Sequence, residues 1–379
     1  MRIGMIAGEY APARGGVGAY TRILSQTLAK QGHELFILGT PDAREGDDRL
    51  HLEAIRSWSF GCWRQVNAWA QRNALDIVNL QYQTAAFKMS PYIHFIPQNV
   101  SAAPVITTFH DLRVPYLFPK AGALREKIVW HLAKTSDGVI VTNQEDEAQV
   151  ASLPCHQLIP IGSNIEAPHV DAQSIADWRR RLQHNNEQLI GYFGLINASK
   201  GLDVLVDALK MLLDTGKNVR LIIVGDAGSS DPTNAQVQQS VNERIISCGI
   251  SNQVTWTGYL PDEQVAAVLN AVEVMALPFR DGASYRRGSL MAALQQGCAI
   301  VTTQPKVPIQ TFVDHENMRL VPPEDAAALS SALSEVMQNS ALRERLKQGT
   351  AGLARHFEWP TIAHSTAQFF EHTIALCKS

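Results

Sequence analysis

Two arginines and a glycine, Arg286, Arg287 and Gly288, stand directly before an apolar helical pattern in the segment PFRDGASYRRGSLMAALQQGCAIVTT (278–303). That combination makes an anion site. Gly288 lets the backbone approach a ligand, and Ser289 can cap the helix and offer a hydroxyl. The free N–H groups of residues 288–290, Leu290 being the third, point at incoming negative charge. The arginines can give charge-assisted, bidentate hydrogen bonds to phosphate oxygens. Gly297 suits the C-terminal cap of that helix, and AIVTT (299–303) reads as a short buried strand. An ordinary loop, helix and strand with two solvated arginines has the same local pattern, so the neighbouring chemistry decides between the two readings.

Lys200, in NASKG, also lies after a strand pattern and just before a helix pattern. A cation at a helix start opposes the macrodipole, a cost that makes sense if an anion sits between them. A snorkelling surface lysine is the alternative. With Arg286, Arg287 and the 288–290 backbone, Lys200 would complete a positive site of diphosphate size. Asp226, in VGDAG, can accept from a ribose or sugar hydroxyl, although Asp followed by Gly more often marks a turn. Asp281 and the run Glu145, Asp146, Glu147 carry the same ambiguity, since most carboxylates are simply solvated.

Glycines 15, 16 and 18 follow the first strand pattern, as a phosphate-cradling loop would, but GGVG is not G-x-G-x-x-G and no P-loop lysine follows. A tight turn that needs positive φ is the competing explanation. His110 and Asp111 close the strand pattern APVITTFHD (103–111), which places them at the carboxyl edge of a sheet. There a histidine can donate to a sugar hydroxyl, take a proton, or merely serve a turn.

These residues need a scaffold of strands. In the first half, RIGMIAG (2–8), HELFILGT (33–40), DIVNLQY (76–82), APVITTFHD and DGVIVTN (137–143) alternate with segments of helical spacing, the first from about Val17 to Gln31. Residues 163–188 are polar and break this pattern, with a middle that can be helical. It restarts with LIGYFGLINASKG (189–201), VRLIIVGDAG (219–228), QVTWTGYL (253–260), VEVMALPF (272–279) and AIVTT, with helices expected over Leu202–Leu213 and near Asn234–Cys248. Short β-rich runs alternating with helices predict two parallel, doubly wound sheets. Ligands of such sheets bind at the carboxyl ends of the strands, so two of them facing a central cleft would place the chemistry in those loops. The expected domains are residues 1–165, a linker at 166–188, a second domain at 189–358, and a helix at 359–379 that packs back on the first.

The composition agrees. A chain of 379 residues, 45% hydrophobic and 18% charged, fits two soluble globular domains. Its net charge of −3 excludes a whole-chain basic field of the kind that binds nucleic acid. Five scattered cysteines without C-x-x-C spacing disfavour a disulfide framework and a zinc site, and suit a reducing cytoplasm. Neither a signal peptide nor a membrane-spanning run is apparent. The stretch from Lys120 to Lys134, with Arg125, Lys127 and His131 among apolar residues, fits a core-facing helix or one resting on an anionic membrane surface; Glu126 weakens the second reading.

Taken in order, the segments resemble the retaining GT-B glycosyltransferases of sequence family 4. The resemblance spans nearly the whole chain: RIGMIAGEYAPARGGVGAYTRILSQTLAKQGHE, TTFHD, IPIG, FGLINASKGLDVLVDAL, LIIVGDAG, VTWTGYLPDEQVAAVLNAVEVMALPF and QQGCAIVTT. It implies two Rossmann-like domains, a nucleotide-sugar donor held mainly by the second, an acceptor held mainly by the first, and no required metal or other cofactor. Three positions depart from the family pattern. The arginine five residues before the donor-site lysine is replaced by Leu195, and the paired glutamates fall on Ser284 and Ala292. The chain looks like the subset with a DGxSxRRGSL motif. Arg286 or Arg287 could replace the missing arginine, and Asp281 or Ser284 could bond the donor hexose.

The resemblance thus implies a retaining hexosyltransferase that moves a sugar from a nucleotide diphosphate donor, a UDP-sugar, to a saccharide or lipid-linked saccharide, in polysaccharide or glycoconjugate biosynthesis. Lys200 and Arg287 would stabilise the leaving diphosphate and His110 would orient the sugar. Gly15, Gly16, Asp226, Asp281, Ser284, Arg286, Gly288, Ser289 and Leu290 complete the expected donor site. A cytoplasmic protein is expected, with peripheral contact to the inner face of the membrane as an open extension. The alternatives are a catalytically silent GT-B scaffold, suggested by the absent glutamates, and a nucleotide-sugar 2-epimerase, which would need acid and base carboxylates. An NAD dehydrogenase fits least, because the first loop has the wrong glycine spacing.

Overall fold

Runs of β-branched and large apolar residues become the strands of two separate, wholly parallel sheets. The structure is a computed structural model that describes residues 1–13, 15–112, 123–165, 170–227 and 232–378, with the side chains of 123–125 and 232 excepted. Two compact units result: residues 1–164 with 358–379, and residues 165–357.

The first unit contains β1 (Arg2–Ala7), α1 (Gly16–Lys30), β2 (Glu34–Gly39), β3 (Leu50–Ala54), α2 (Cys62–Arg72), β4 (Ile77–Tyr82), the short α3 (Ile96–Asn99), β5 (Val105–Phe109), α4 (Ala123–Thr135), β6 (Gly138–Val141), α5 (Gln144–Val150) and β7 (His156–Leu158). Its sheet order is β3-β2-β1-β4-β5-β6-β7. The central strands are buried on both faces, and helices cover each side: one core gathers Trp69, Leu80, Phe87 and Phe109, the other Leu24, Leu28, Ile37 and Phe370.

The second unit contains α6 (Ala172–Leu182), β8 (Gln188–Phe193), α7 (Leu202–Asp214), β9 (Val219–Val224), α8 (Pro232–Ser247), β10 (Val254–Gly258), α9 (Asp262–Ala271), β11 (Val274–Leu277), α10 (Gly288–Gln295), β12 (Ile300–Thr303), β13 (Arg319–Val321), α11 (Ala326–Gln338) and α12 (Ser340–Ala354). Its sheet order is β10-β9-β8-β11-β12-β13. Helix α6 occupies the stretch read as a linker; Asp171 caps it by accepting from the Ser174 amide, and Arg179 ties it to the end of α9 by donating to the Ala271 carbonyl at 2.8 Å. The last helix, α13 (Trp359–Lys378), lies in the first unit against α1, where the Trp359 indole donates to the Ser163 carbonyl at 2.6 Å and its ring meets Tyr20.

Three edge strands, β3, β7 and β13, are absent from the sequence reading. They are short, and although β3, LHLEA, sets Leu50, Leu52 and Ala54 on one face, runs of three to five residues give too brief a period to announce a strand. In each sheet the strand order reverses once, between β1 and β4 and between β8 and β11. The carboxyl ends beside such reversals are where open α/β sheets bind ligands.

Candidate active site

At the reversal of the second sheet, the loops after β8 and β11 are drawn together by glycines. Gly201, with φ of 65°, lets the chain pass the Pro278 carbonyl, which would lie 2.1 Å from any Cβ placed there. Gly194, with φ of 131°, leaves space that the Lys200 ammonium and Ser289 fill. Lys200 Nζ consequently reaches across to donate to Ser289 Oγ at 2.8 Å. The same ammonium lies 5.3 Å from the Phe279 ring centroid, and the Arg287 guanidinium lies 4.8 Å from it, so one aromatic ring serves two cations. Burial, and then the neighbouring Arg287, push the Lys200 pKa down to about 7.

This arrangement removes two of the plainer alternatives. The Arg286 and Arg287 side chains are only 12% and 11% exposed, which is not the state of solvated arginines. Lys200 is engaged with Ser289 and does not snorkel to the surface. Both guanidiniums converge on one carboxylate, Asp281, with Arg286 Nη2 at 3.3 Å and Arg287 in closer contact. Asp281, expected at the donor hexose, therefore sits as an internal anion among the cations. Ser284 Oγ is buried without a hydrogen-bond partner among the described residues, as is the hydroxyl of Tyr192 at the end of β8. Each is a polar group that a ligand would satisfy.

Two expectations about α10 need correction. Ser289 does not cap the helix: Arg287 holds the N-cap position, makes no side-chain cap, and Ser289 lies inside the first turn with its hydroxyl facing Lys200. Leu290 offers no free amide, because its N–H donates to the Arg287 carbonyl at 2.8 Å. The amides of Gly288 and Ser289 have no acceptor among the described residues, which leaves two donors, the helix dipole and three basic side chains converging. Gly297, with φ of 61°, does end the helix in the left-handed conformation. Asp226 follows β9, and its backbone carbonyl accepts from the Ile196 amide at 2.9 Å, tying two loops together in the manner of a turn residue. Of the family departures, Leu195 is 46% exposed and Ala292 is wholly buried.

In the first unit the glycine loop differs from one of its readings, the positive-φ turn. Gly15 has φ of −125°, and neither Gly16 nor Gly18 is left-handed, so none of these glycines makes a positive-φ turn. The smallness of Gly15 and Gly18 serves close approach instead. A Cβ on Gly15 would fall 2.1 Å from the Glu9 carboxylate, and one on Gly18 would lie 2.9 Å from the Glu9 carbonyl. Burial raises the pKa of this half-buried Glu9. Glu9 thus packs directly on Gly15 of the loop read as a phosphate cradle, while the space beside Gly16 is open. The sequence reading missed Glu9, although a carboxylate just past β1 was visible in GEYAPARGG.

His110 follows β5. Its amide donates to the Tyr82 carbonyl at 3.1 Å, its Nε2 lies 2.8 Å from Gln81 Oε1, and the Tyr20 ring stands edge-on at 4.7 Å. Burial pushes its pKa down to about 4, so the imidazole is neutral at physiological pH. The basic stretch begins with Lys120, outside the described residues, as is the Arg125 side chain. In the part described, α4 turns Val129, Leu132 and Ala133 into the first core, while Lys134 lies over the Trp130 ring. Among the described residues, no helix is long and apolar enough to cross a membrane.

Two consecutive Rossmann-like units, with a cation cluster at the strand reversal of the second, are the plan of the GT-B glycosyltransferases. Residues 174–352 match the family described as Glycosyl transferases group 1, and residues 14–166 match Glycosyltransferase Family 4. The chain is 24% identical over 388 residues to the phosphatidyl-myo-inositol mannosyltransferase of Mycobacterium leprae, across 98% of this chain and 96% of that one. Among solved structures it is similar to a sucrose-phosphate synthase from Thermosynechococcus elongatus, with a TM-score of 0.78 at 18% identity over 99% and 100% of the two chains. It is likewise similar to Anabaena HepE in complex with UDP-glucose, with a TM-score of 0.74 at 18% identity over 97% and 98%. The protein is a glycosyltransferase of the GT-B fold.

Proposed function

We propose that this glycosyltransferase moves a hexose from a UDP-sugar to a hydroxyl of a saccharide or lipid-linked saccharide, with retention of anomeric configuration, in the building of a polysaccharide or glycoconjugate. The observation that carries the reading is the convergence of Lys200, Arg286, Arg287 and the open amides of Gly288 and Ser289 on one spot at the start of α10. That spot has the positive charge and the hydrogen-bond donors that a diphosphate takes. The likeness of fold to a protein that holds UDP-glucose supports the choice of UDP, and the relative named for phosphatidyl-myo-inositol supports a lipid-linked acceptor.

In this reading the bond from the sugar anomeric carbon to the β-phosphate oxygen breaks while the acceptor oxygen bonds to the same face. The acceptor proton passes to the departing diphosphate. Negative charge grows on that leaving group, where Lys200, Arg287 and the helix amides strengthen their hold as the bond lengthens. No metal or other cofactor has a part, because the side chains supply the cationic charge. His110 acts on a sugar hydroxyl of the substrate. The work is done in the cytoplasm, at the inner face of the membrane when the acceptor is lipid-linked.

The test is a transfer assay with a panel of UDP-, GDP- and ADP-hexoses against saccharide and lipid-linked acceptors. Acceptor-dependent release of UDP with an anomerically retained product is expected. Tight UDP-sugar binding with neither transfer nor hydrolysis across the panel would overturn the reading.

A further inference from the structure

Strands β4 and β5 pair in parallel with Asn79 opposite Ile106 and Gln81 opposite Thr108. Because side chains alternate along a strand, Asn79 and Gln81 share one face of β4, and Ile106, Thr108 and His110 share the same face next door. Asn79 and Gln81 are wholly buried, in a sheet whose central strands are mostly apolar. Carboxamides are costly there unless each polar atom is bonded. Asn79 Nδ2 donates to the Ile106 carbonyl at 3.2 Å and to Thr108 Oγ1 at 2.9 Å. Gln81 Nε2 donates to Asn79 Oδ1, and Gln81 Oε1 faces His110 Nε2 at 2.8 Å.

The polarity of this chain has one consistent solution. A backbone carbonyl can only accept, so Asn79 must turn its NH2 to Ile106 and its oxygen to Gln81. Gln81 must then turn its NH2 to Asn79 and its oxygen to His110. An oxygen can bond Nε2 only if that nitrogen carries the proton. Reversing either amide sets two acceptors face to face in the core, where no water can relieve them.

We propose that Asn79 and Gln81 are positioning residues that fix His110 as its Nε2–H tautomer and so present Nδ1 as a hydrogen-bond acceptor for a substrate hydroxyl. The substrate hydroxyl rests on the role given to His110 above, whereas the tautomer rests on the strand geometry alone. Nδ1 has no partner among the described residues, and the ring, held neutral by burial, has one proton to place. Of the two roles open to this histidine, donor or acceptor toward a sugar, the amide pair selects acceptor.

The experiment is two-bond proton–nitrogen correlation NMR on protein labelled with 15N-histidine, the His110 signals being identified by their loss in His110→Ala. A protonated Nε2 with a bare Nδ1 is expected in the wild type; an Nδ1–H tautomer or a mixture overturns the relay without need of any variant. Gln81→Met keeps the volume and removes both amide functions. It is expected to yield mixed tautomers and to lower kcat about ten- to a hundredfold with the donor KM unchanged, the loss typical of removing a histidine's orienting partner. Gln81→Glu keeps an acceptor beside Nε2 and, in its neutral acid form, can donate its proton to Asn79 Oδ1, so it is expected to preserve the tautomer and recover part of kcat. If Gln81→Met loses activity while His110 keeps a pure Nε2–H tautomer, the relay is refuted. Full activity of His110→Ala beside the expected wild-type tautomer upholds the relay and refutes the role of His110 in transfer instead.

Discussion

Raising the pH from 7 to 8.5 should weaken UDP binding, because Lys200, bonded to Ser289 in the first turn of α10, loses its proton over that range. Burial and Arg287 bring Lys200 from an ordinary 10.5 down to about 7. A bound diphosphate reverses both causes, since it stabilises the ammonium and offsets the arginine charge, so the lysine pKa climbs back in the complex. The sign follows: the bound state holds more protons than the free state above pH 7, and affinity falls as pH rises. About half of the free protein carries the proton at pH 7 and about 3% at pH 8.5, which makes the loss roughly sixteenfold, or ~1.6 kcal/mol. Guanidinium groups do not titrate in this range, so the slope belongs to the lysine. Calorimetric titration with UDP in buffers of different ionisation enthalpy should show uptake of about half a proton at pH 7 and nearly one at pH 8.5. Lys200→Met should bind more weakly and show no such slope. A flat profile in the wild type, or an unchanged slope in Lys200→Met, would refute the reasoning.

Three further outcomes are expected. His110→Ala should lower kcat by roughly a hundredfold while UDP affinity, read by the same calorimetry, stays as it was, because its contact is with sugar and not with phosphate. Asp281→Asn should tighten UDP binding roughly five- to tenfold by removing the carboxylate that now occupies Arg286 and Arg287, about 1 kcal/mol of like-charge repulsion; equal or weaker binding would mean that Asp281 is needed to hold the arginines in place. Ala292→Glu, which restores the family's glutamate, should destabilise the second unit by about 2–4 kcal/mol in denaturant unfolding, since the Ala292 side chain is wholly buried and a carboxylate there has no partner.

The sheets were legible because their central strands are continuous apolar runs closed by glycine or by polar loop residues. RIGMIAG, DIVNLQY and VRLIIVG could be placed to within two residues by hydrophobicity alone. The convergence of Lys200 with residues 286–289 was legible for a related reason: both follow strand ends, and parallel strands bring their carboxyl-end loops to one edge. Side-chain pairing was not legible. Nothing in the sequence says that Asp281 will fold back on two arginines rather than face a sugar, or that Glu9 will lie over Gly15, because both depend on loop paths that glycine permits without dictating. The Asn-x-Gln alternation in DIVNLQY was visible. Polar residues at every second position normally mark a solvent face, however, and here they face the core and bond one another.

The most direct test of the account is a crystal structure with UDP bound. It should place the diphosphate against the Gly288 and Ser289 amides, with Lys200 Nζ and at least one of the Arg286 and Arg287 guanidiniums on its oxygens and Asp281 displaced from them. A diphosphate seated elsewhere, at the Gly15 and Gly16 loop for instance, with the ion pairs to Asp281 intact, would contradict it.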